Sequence, residues 1–226
     1  MKYHKPLQPT TPLPSIDVYY RPVVPVDHIQ VEIIMSNRPI DHFNAEESAR
    51  ILMAKQKIQE KLNEFNMTIR KLGSMHEHSY FLTGGAIGSL LRGEEPNDWD
   101  IYFFDEQDAE GIFRLYEKDP SYENEVAVLD EKYRDVENGG KLITENATTL
   151  KNGIQLIRKH YGQPGTIRKT FDFVHCMPYY DSRDKKLYIS PEQYDCNVNK
   201  KLVRNNNNLF QPHREDKFLK RGWTWL

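Results

Sequence analysis

The segment Asp98-Trp99-Asp100-Ile101-Tyr102-Phe103 alternates polar and apolar side chains with a period of two. That period marks a strand, because successive side chains leave a strand on opposite faces. Trp99, Ile101 and Phe103 are therefore expected to face a core, and Asp98 and Asp100 to project together from the other side. Upstream, Gly84 and Gly85 separate a short apolar strand, Ser79 to Thr83, from a short helix, Ala86 to Arg92. Glycines permit a sharp bend and let a phosphate come close to the amides. A helix starting there adds free N–H groups and the positive end of its dipole.

Two carboxylates side by side are costly unless something neutralises them. A divalent cation is the natural partner, and hard carboxylate oxygens suit magnesium. A third carboxylate is expected on a neighbouring strand, and Phe171-Asp172-Phe173-Val174-His175 supplies one. Read as a strand over Thr170 to Cys176, it buries Phe171 and Phe173 and turns Asp172 to the opposite face. Each feature has a plain alternative: a glycine pair is commonly just a turn, and two acids can be a polar strand edge. Their coincidence at this spacing favours the metal site. His76 and His78 could share a face but have no matching ligand pair. His175 and Cys176 read as packing beside the site, and Cys196 as a helix residue without chemistry.

The rest of the chain fits an α+β sheet with helices packed on it. His28 to Met35 reads as a strand. Asn44 and Glu47 form a capping box, opening a long helix whose stripe Ile51, Ile58, Leu62, Phe65, Ile69 and Leu72 ends near Gly73. Asp108 to Lys118 reads as helix, Leu142 to Leu150 and Gly153 to His160 as strands, Gln163 to Lys169 as a helical turn, and Lys186 to Ile189 as a strand. Ser190, Pro191 and Gln193 start a helix expected to reach about Arg204, and a last helix covers His213 to Lys220.

The block from Gly84 to Tyr102 resembles the DNA polymerase beta-like nucleotidyltransferase superfamily, most closely the head domain of poly(A) polymerase and tRNA CCA-adding enzymes. That family reads Gly-Gly, a helix ending Leu-Leu-Gly, a proline, then Asp-x-Asp. Here Leu90-Leu91-Arg92-Gly93, Pro96, Asp98 and Asp100 stand in that order. The chain is also similar to phage-encoded nucleotidyltransferases. It departs at Gly88-Ser89, where CCA-adding enzymes carry Arg-Asp, and it has no counterpart of their nucleotide-selecting motif. About 50 residues follow Asp172, too few for their tRNA-gripping domains.

The resemblance implies a nucleotidyltransferase-type mixed sheet flanked by helices, and transfer of a nucleoside monophosphate from an NTP, ATP included, to an acceptor hydroxyl. Asp98, Asp100 and Asp172 would be catalytic and would hold two magnesium ions. Gly84 and Gly85 would cradle phosphates, with Thr83, Ser89 and Arg92 adding contacts. Arg158, Lys159, Arg168 and Lys169 are further candidates for neutralising phosphate by their position near the motifs. The rival reading is a catalytically silent protein of the same fold, serving as a binding or assembly component.

Composition bounds the partners. Residues 151–226 hold 15 Lys and Arg against 7 Asp and Glu, in a chain of net charge −2. A basic end suits an RNA or protein acceptor as well as NTP. Trp223 and Trp225 beside Arg214, Lys217, Lys220 and Arg221 could stack on bases, although docking of the tryptophans on the core is favoured. Six prolines in residues 1–27 predict an extended arm. The domain is expected over 28–180 and a small basic extension over 181–226. No run approaches the roughly 20 apolar residues of a membrane span. With two cysteines and no signal-peptide pattern, the expectation is a cytoplasmic protein, in the host cytoplasm if phage-encoded.

Overall fold

The computed structural model describes residues 30–31, 43–70, 79–122, 125–128, 141–205 and 212–226. The arm over 1–27, most of the strand expected over 28–35, Leu72, Gly73, His76 and His78 lie outside the described residues. Seven strands form one mixed sheet: β1 (Gln30–Val31), β2 (Tyr80–Thr83), β3 (Trp99–Phe103), β4 (Ala147–Thr149), β5 (Ile154–Tyr161), β6 (Tyr179–Asp181) and β7 (Lys186–Tyr188). Their order is β1-β7-β6-β2-β3-β5-β4, antiparallel throughout except for β3 against β5. A parallel neighbour needs a crossover, and α3 (Glu106–Lys118) supplies it. The fold is the expected α+β sheet flanked by helices.

Helix α1 (Ala45–Arg70) begins at the foreseen capping box. Glu47 N donates to Asn44 Oδ1 at 3.0 Å, and Asn44 N donates to Glu47 Oε2 at 2.8 Å. Ile51, Ile58, Leu62, Phe65 and Ile69 are buried along one stripe. They join Tyr80, Leu82, Trp99, Ile101 and Phe103 in the main core. Each such side chain contributes roughly 1.5–3 kcal/mol of burial. The opposite face of β2 and β3 carries Phe81, Tyr102 and Asp100. There Phe81 stacks on Tyr102 at 5.5 Å and meets Tyr179 edge-on at 6.2 Å. The sheet thus has a buried face and a face that holds the site.

Helix α2 (Gly85–Leu91) follows the glycine bend, and α4 (Pro164–Ile167) follows β5. The strand expected over Thr170 to Cys176 is not one. The chain forms 3-10 turns over Arg168–Thr170 and Val174–Cys176. Its amides are used locally or by the C-terminal segment: Cys176 N reaches Phe173 O, and Val174 N reaches Val203 O. The place beside β2 goes instead to β6, so the sheet continues past residue 180 to Tyr188.

Two other expected elements are shorter. The run Leu142 to Leu150 folds back on itself at a turn where the Thr144 hydroxyl receives the amides of Asn146 and Ala147, leaving only β4 as strand. Helix α5 (Pro191–Val198) keeps its Ser190 capping box but stops well short of Arg204. Lys200 takes a φ of 50°, and the chain enters β8 (Lys201–Leu202), paired in parallel with β9 (Thr224–Trp225). Between them in sequence, α6 (Pro212–Lys220) packs through Phe218 on Phe173, His175 and Trp223.

Candidate active site

A cavity of about 630 Å³ opens where β3, the glycine bend, the 174–176 turn and α6 meet. Its lining includes Gly84, Gly85, Ser89, Arg92, Asp98, Asp100 and Asp172. Seven of the eight residues singled out from sequence are therefore brought together. Asp98 precedes β3 and is exposed, with Oδ1 accepting from Gln155 Nε2 at 3.2 Å. Asp100 lies in β3, half-buried, opposite Thr83 in the β2–β3 ladder.

The bend is fixed by its chemistry. Gly84 has a φ of +88°, and a Cβ there would stand 2.7 Å from Oδ2 of Asp100. Only glycine adopts that backbone cheaply and leaves the space. Gly85 has nothing within 4 Å of an added Cβ, so its surroundings are open.

Thr83 is the residue that does not reach the cavity. It is fully buried, and its Oγ1 donates to Cys176 O at 3.2 Å and Pro178 O at 2.8 Å. The expected phosphate contact is corrected accordingly: Thr83 ties the 174–176 turn to the end of β2. Gly84 N donates to Cys176 O at 3.3 Å and reinforces the same junction.

Asp172 reaches the cavity from a loop. Arg214 of α6 grips it, with Nε on Oδ2 at 2.5 Å and Nη2 on Oδ1 at 3.2 Å. Among the described residues, no three His, Cys, Asp or Glu side chains gather closely enough to hold one metal ion. The three acids thus share a cavity without forming a common donor set.

The basic residues divide sharply. Arg158 pairs with Glu117 behind β5. Arg168 is buried and donates to Pro164 O and Met177 O, so it supports the turn and lies off the cavity lining. Lys159 and Lys169 do not line the cavity. Arg92 does, but two of its nitrogens are held by Glu94 at 3.0 and 2.8 Å and a third donates to Asn197 O at 3.1 Å. Lys200, Arg214, Lys217 and Arg221 complete the cationic wall. The steps of three and four between Arg214 and Lys217 in α6 and Arg221 just past its end were the available signal of one basic side. Lys220 falls off that side.

The family model that matches this sequence describes the Gabija anti-defense 2 family and spans residues 53–200. The chain belongs to the Gabija anti-defense 2 family. The match contains the glycine bend, all three acids and the turn between them. Comparison with curated proteins finds no match.

Among solved structures, this Gabija anti-defense 2 family member is similar to a CCA-adding enzyme in its apo form II, at 17% identity and a TM-score of 0.46, over 79% of this chain and 44% of that one. A CCA-adding enzyme with ATP matches at 17% identity and a TM-score of 0.42, over 70% and 36%. The Thermotoga maritima CCA-adding enzyme complexed with tRNA matches at 14% identity and a TM-score of 0.37, over 80% and 45%. The chain spans less than half the length of each of these enzymes.

Asp100, His175 and Cys176 in this family member's cavity are shifted far from their ordinary values. Burial, then the neighbouring Asp98, raises the Asp100 carboxyl to about 6, with Arg214 and Lys217 opposing. Burial, then Arg92 and Arg214, lowers His175 to about 3. Its imidazole is neutral at pH 7, and neither ring nitrogen has a hydrogen-bond partner among the described residues. It packs 4.1 Å from the Trp223 ring and stacks on Phe173 at 5.5 Å. Burial pushes the Cys176 thiol up to about 12, which leaves it protonated and weakly nucleophilic.

The donor set can be tested against magnesium. Asp100 has no hydrogen-bond partner among the described residues, and Asp98 uses one oxygen for Gln155. Magnesium is commonly held by one or two carboxylates together with substrate phosphates and water. Asp98 and Asp100 fit that arrangement for one ion. Asp172, committed to Arg214, does not supply a second in this arrangement.

Proposed function

We propose that this protein is a nucleotidyltransferase that moves a nucleoside monophosphate from an NTP to an acceptor hydroxyl, releasing pyrophosphate, and that this transfer underlies an anti-defense role against Gabija. The observation carrying the reading is the placement of Asp98 and Asp100 on the wall of a cavity of about 630 Å³, large enough for a nucleotide, against a glycine bend and with the cations of α6 in the same lining.

Asp98 and Asp100 would hold magnesium, which on binding supplies charge neutralisation of the phosphates. The Gly84 and Gly85 backbone receives the phosphate chain, with open space around Gly85 and the Asp100 carboxylate beside Gly84. Arg92 and Ser89 form the side wall and orient the nucleotide. Lys200, Lys217 and Arg221 offset the charge of the leaving pyrophosphate. Most of the rate gain in such a site is positioning and electrostatics. The acceptor, an RNA 3′ end or a protein, would enter past the basic C-terminal third.

The test is labelling with each α-labelled NTP and magnesium, offered cell RNA and the Gabija proteins as acceptors. Label is expected on one acceptor class with wild type, and none with Asp98→Asn or Asp100→Asn. A second reading, a silent binding protein, is favoured by the Arg214–Asp172 pair, which leaves the acids without a common donor set. It predicts that both variants still counter Gabija in cells.

A further inference from the structure

The cavity wall formed by α6 contains charges that its neighbours do not use. Glu94 takes both Arg92, at 2.8 Å, and Lys200, at 3.3 Å. Glu95 faces Lys57 at 3.2 Å. Arg214 is committed to Asp172. Lys217 and Arg221 make no ion pair or side-chain hydrogen bond to another described residue. The cavity wall thus holds an acidic pair, Asp98 and Asp100, two uncommitted cations, Lys217 on α6 and Arg221 just after it, and the Arg214–Asp172 ion pair.

The helix that carries these cations is held lightly. None of its residues is buried. Phe218 anchors it, 5.3 Å from the Phe173 ring, 4.5 Å from His175 and 5.4 Å from Trp223. Glu215 adds a bond from Trp225 Nε1 at 3.0 Å and a contact with Arg204 at 3.4 Å. Arg214, Lys217 and Phe218 of α6 and Arg221 in the turn after it all line the cavity. Arg214 remains 42% exposed in its side chain while Asp172 is 11% exposed, so the guanidinium reaches solvent and can change partner.

We propose that Arg214 exchanges partners when nucleotide binds: it neutralises Asp172 in the free protein and moves onto the phosphates of a nucleoside triphosphate, joining Lys217 and Arg221. The exchange rests on the nucleotide reading above. It releases Asp172 to a divalent cation only when phosphate has arrived. Phosphate is the better partner for a guanidinium that already makes two parallel bonds, because two oxygens of its tetrahedral group accept the same fork and carry more charge. Binding of nucleotide and of cation is thereby made cooperative, and the coupling is the same viewed from either ligand.

The test measures binding on the full chain. Free Mn2+ is followed by its paramagnetic resonance signal, and a non-hydrolysable ATP analogue by calorimetry. In wild type, the analogue is expected to tighten Mn2+ binding about tenfold. Arg214→Gln should tighten binding of Mn2+ alone by a similar factor, weaken the analogue measured without metal, and abolish the coupling. Asp172→Asn should do the reverse for the analogue, tightening it without metal because Arg214 is set free. A misfolded Arg214→Gln chain could only weaken both ligands, and Asp172→Asn then decides alone. If a folded Arg214→Gln binds Mn2+ no better than wild type, or Asp172→Asn leaves the analogue unchanged, the exchange is wrong. If Asp98→Asn with Asp100→Asn binds Mn2+ and analogue as wild type does, the nucleotide reading itself fails.

Discussion

Gly84 stands against Asp100 so closely that a Cβ on the glycine would lie 2.7 Å from the carboxylate oxygen Oδ2. The bend and the acid are therefore one unit, and the next residue separates sterics from location. Gly84→Ala must adopt a left-handed φ and displace Asp100. It is expected to cost about 1–3 kcal/mol and to eliminate Mn2+-dependent nucleotide binding. Gly85→Ala has free space and an ordinary φ, so its stability should stay within about 0.5 kcal/mol of wild type. Urea denaturation of the two variants checks the contrast, and equal losses would show that the bend is not shaped around Asp100.

The raised Asp100 carboxyl gives stability a definite pH dependence. With a folded value of about 6 against an ordinary 3.8, the folded chain binds more protons than the unfolded one between those limits. Its contribution to stability therefore falls as pH rises through that window. His175 acts oppositely: lowered to about 3, it contributes stability that is present above 6.5 and lost as pH drops. In Asp100→Asn the slope from Asp100 is gone and the opposing histidine slope remains. That variant should be more stable than wild type by about 1–3 kcal/mol at pH 8 and no more stable at pH 4. Urea midpoints across pH 4–8 test this, and no gain at pH 8 would contradict the burial of the charge. The same shift predicts that Mn2+ binds more tightly as pH rises through about 6, since the ligand must be ionised.

Period-two alternation made β3 and its two faces legible, because one side of the strand meets the main core and the other meets the cavity. The capping boxes at Asn44 and Ser190 were legible for a similar reason: each is a local contract between residues three apart. Asp172 does line the cavity with Asp98 and Asp100, but not from the strand that the alternation predicts. Its flanking aromatics are anchored, but by turns whose backbone groups bond locally and to residues 203 and 205, so no strand forms. Gly88, which departs from the Arg-Asp of the CCA-adding pattern, has a packing cause that no local reading reveals. A Cβ there would meet Asn197 Oδ1 at 2.0 Å, so α5 lies against α2 only because the side chain is missing. The Arg214–Asp172 pair spans 42 residues, and nothing in local spacing points to it.

Thr83 and Ser89 were both expected at phosphate, and only one lines the cavity. Thr83→Val keeps the shape but removes the donor to Cys176 O and Pro178 O. It should cost about 1–3 kcal/mol, the range for leaving buried acceptors unsatisfied, and loosen the 174–176 turn. Ser89→Ala loses only a 3.4 Å contact from Arg92 and should change stability by less than about 0.5 kcal/mol. Thermal melts rank the two. Hydrogen exchange at the Cys176 amide should quicken in Thr83→Val alone, and unchanged protection there would remove Thr83 from its tying role.

The two C-terminal tryptophans separate docking from display. Trp223 is 6% exposed and packs on His175 and Phe218, with the Arg92 guanidinium 5.3 Å over its ring. Trp225 is 38% exposed, in β9 at the rim. Trp223→Ala should cost about 3–5 kcal/mol by emptying a packed site, and should release α6 with its cations, weakening nucleotide binding as well. Trp225→Ala should cost at most about 1 kcal/mol, losing the bond to Glu215 and part of a ring face. If Trp225 instead stacks on an RNA acceptor, its removal weakens binding of single-stranded RNA by about 1–3 kcal/mol while leaving the ATP analogue unaffected. Fluorescence titrations with the two ligands separate these outcomes, and a loss of analogue binding in Trp225→Ala would place that ring inside the nucleotide site, against the geometry described.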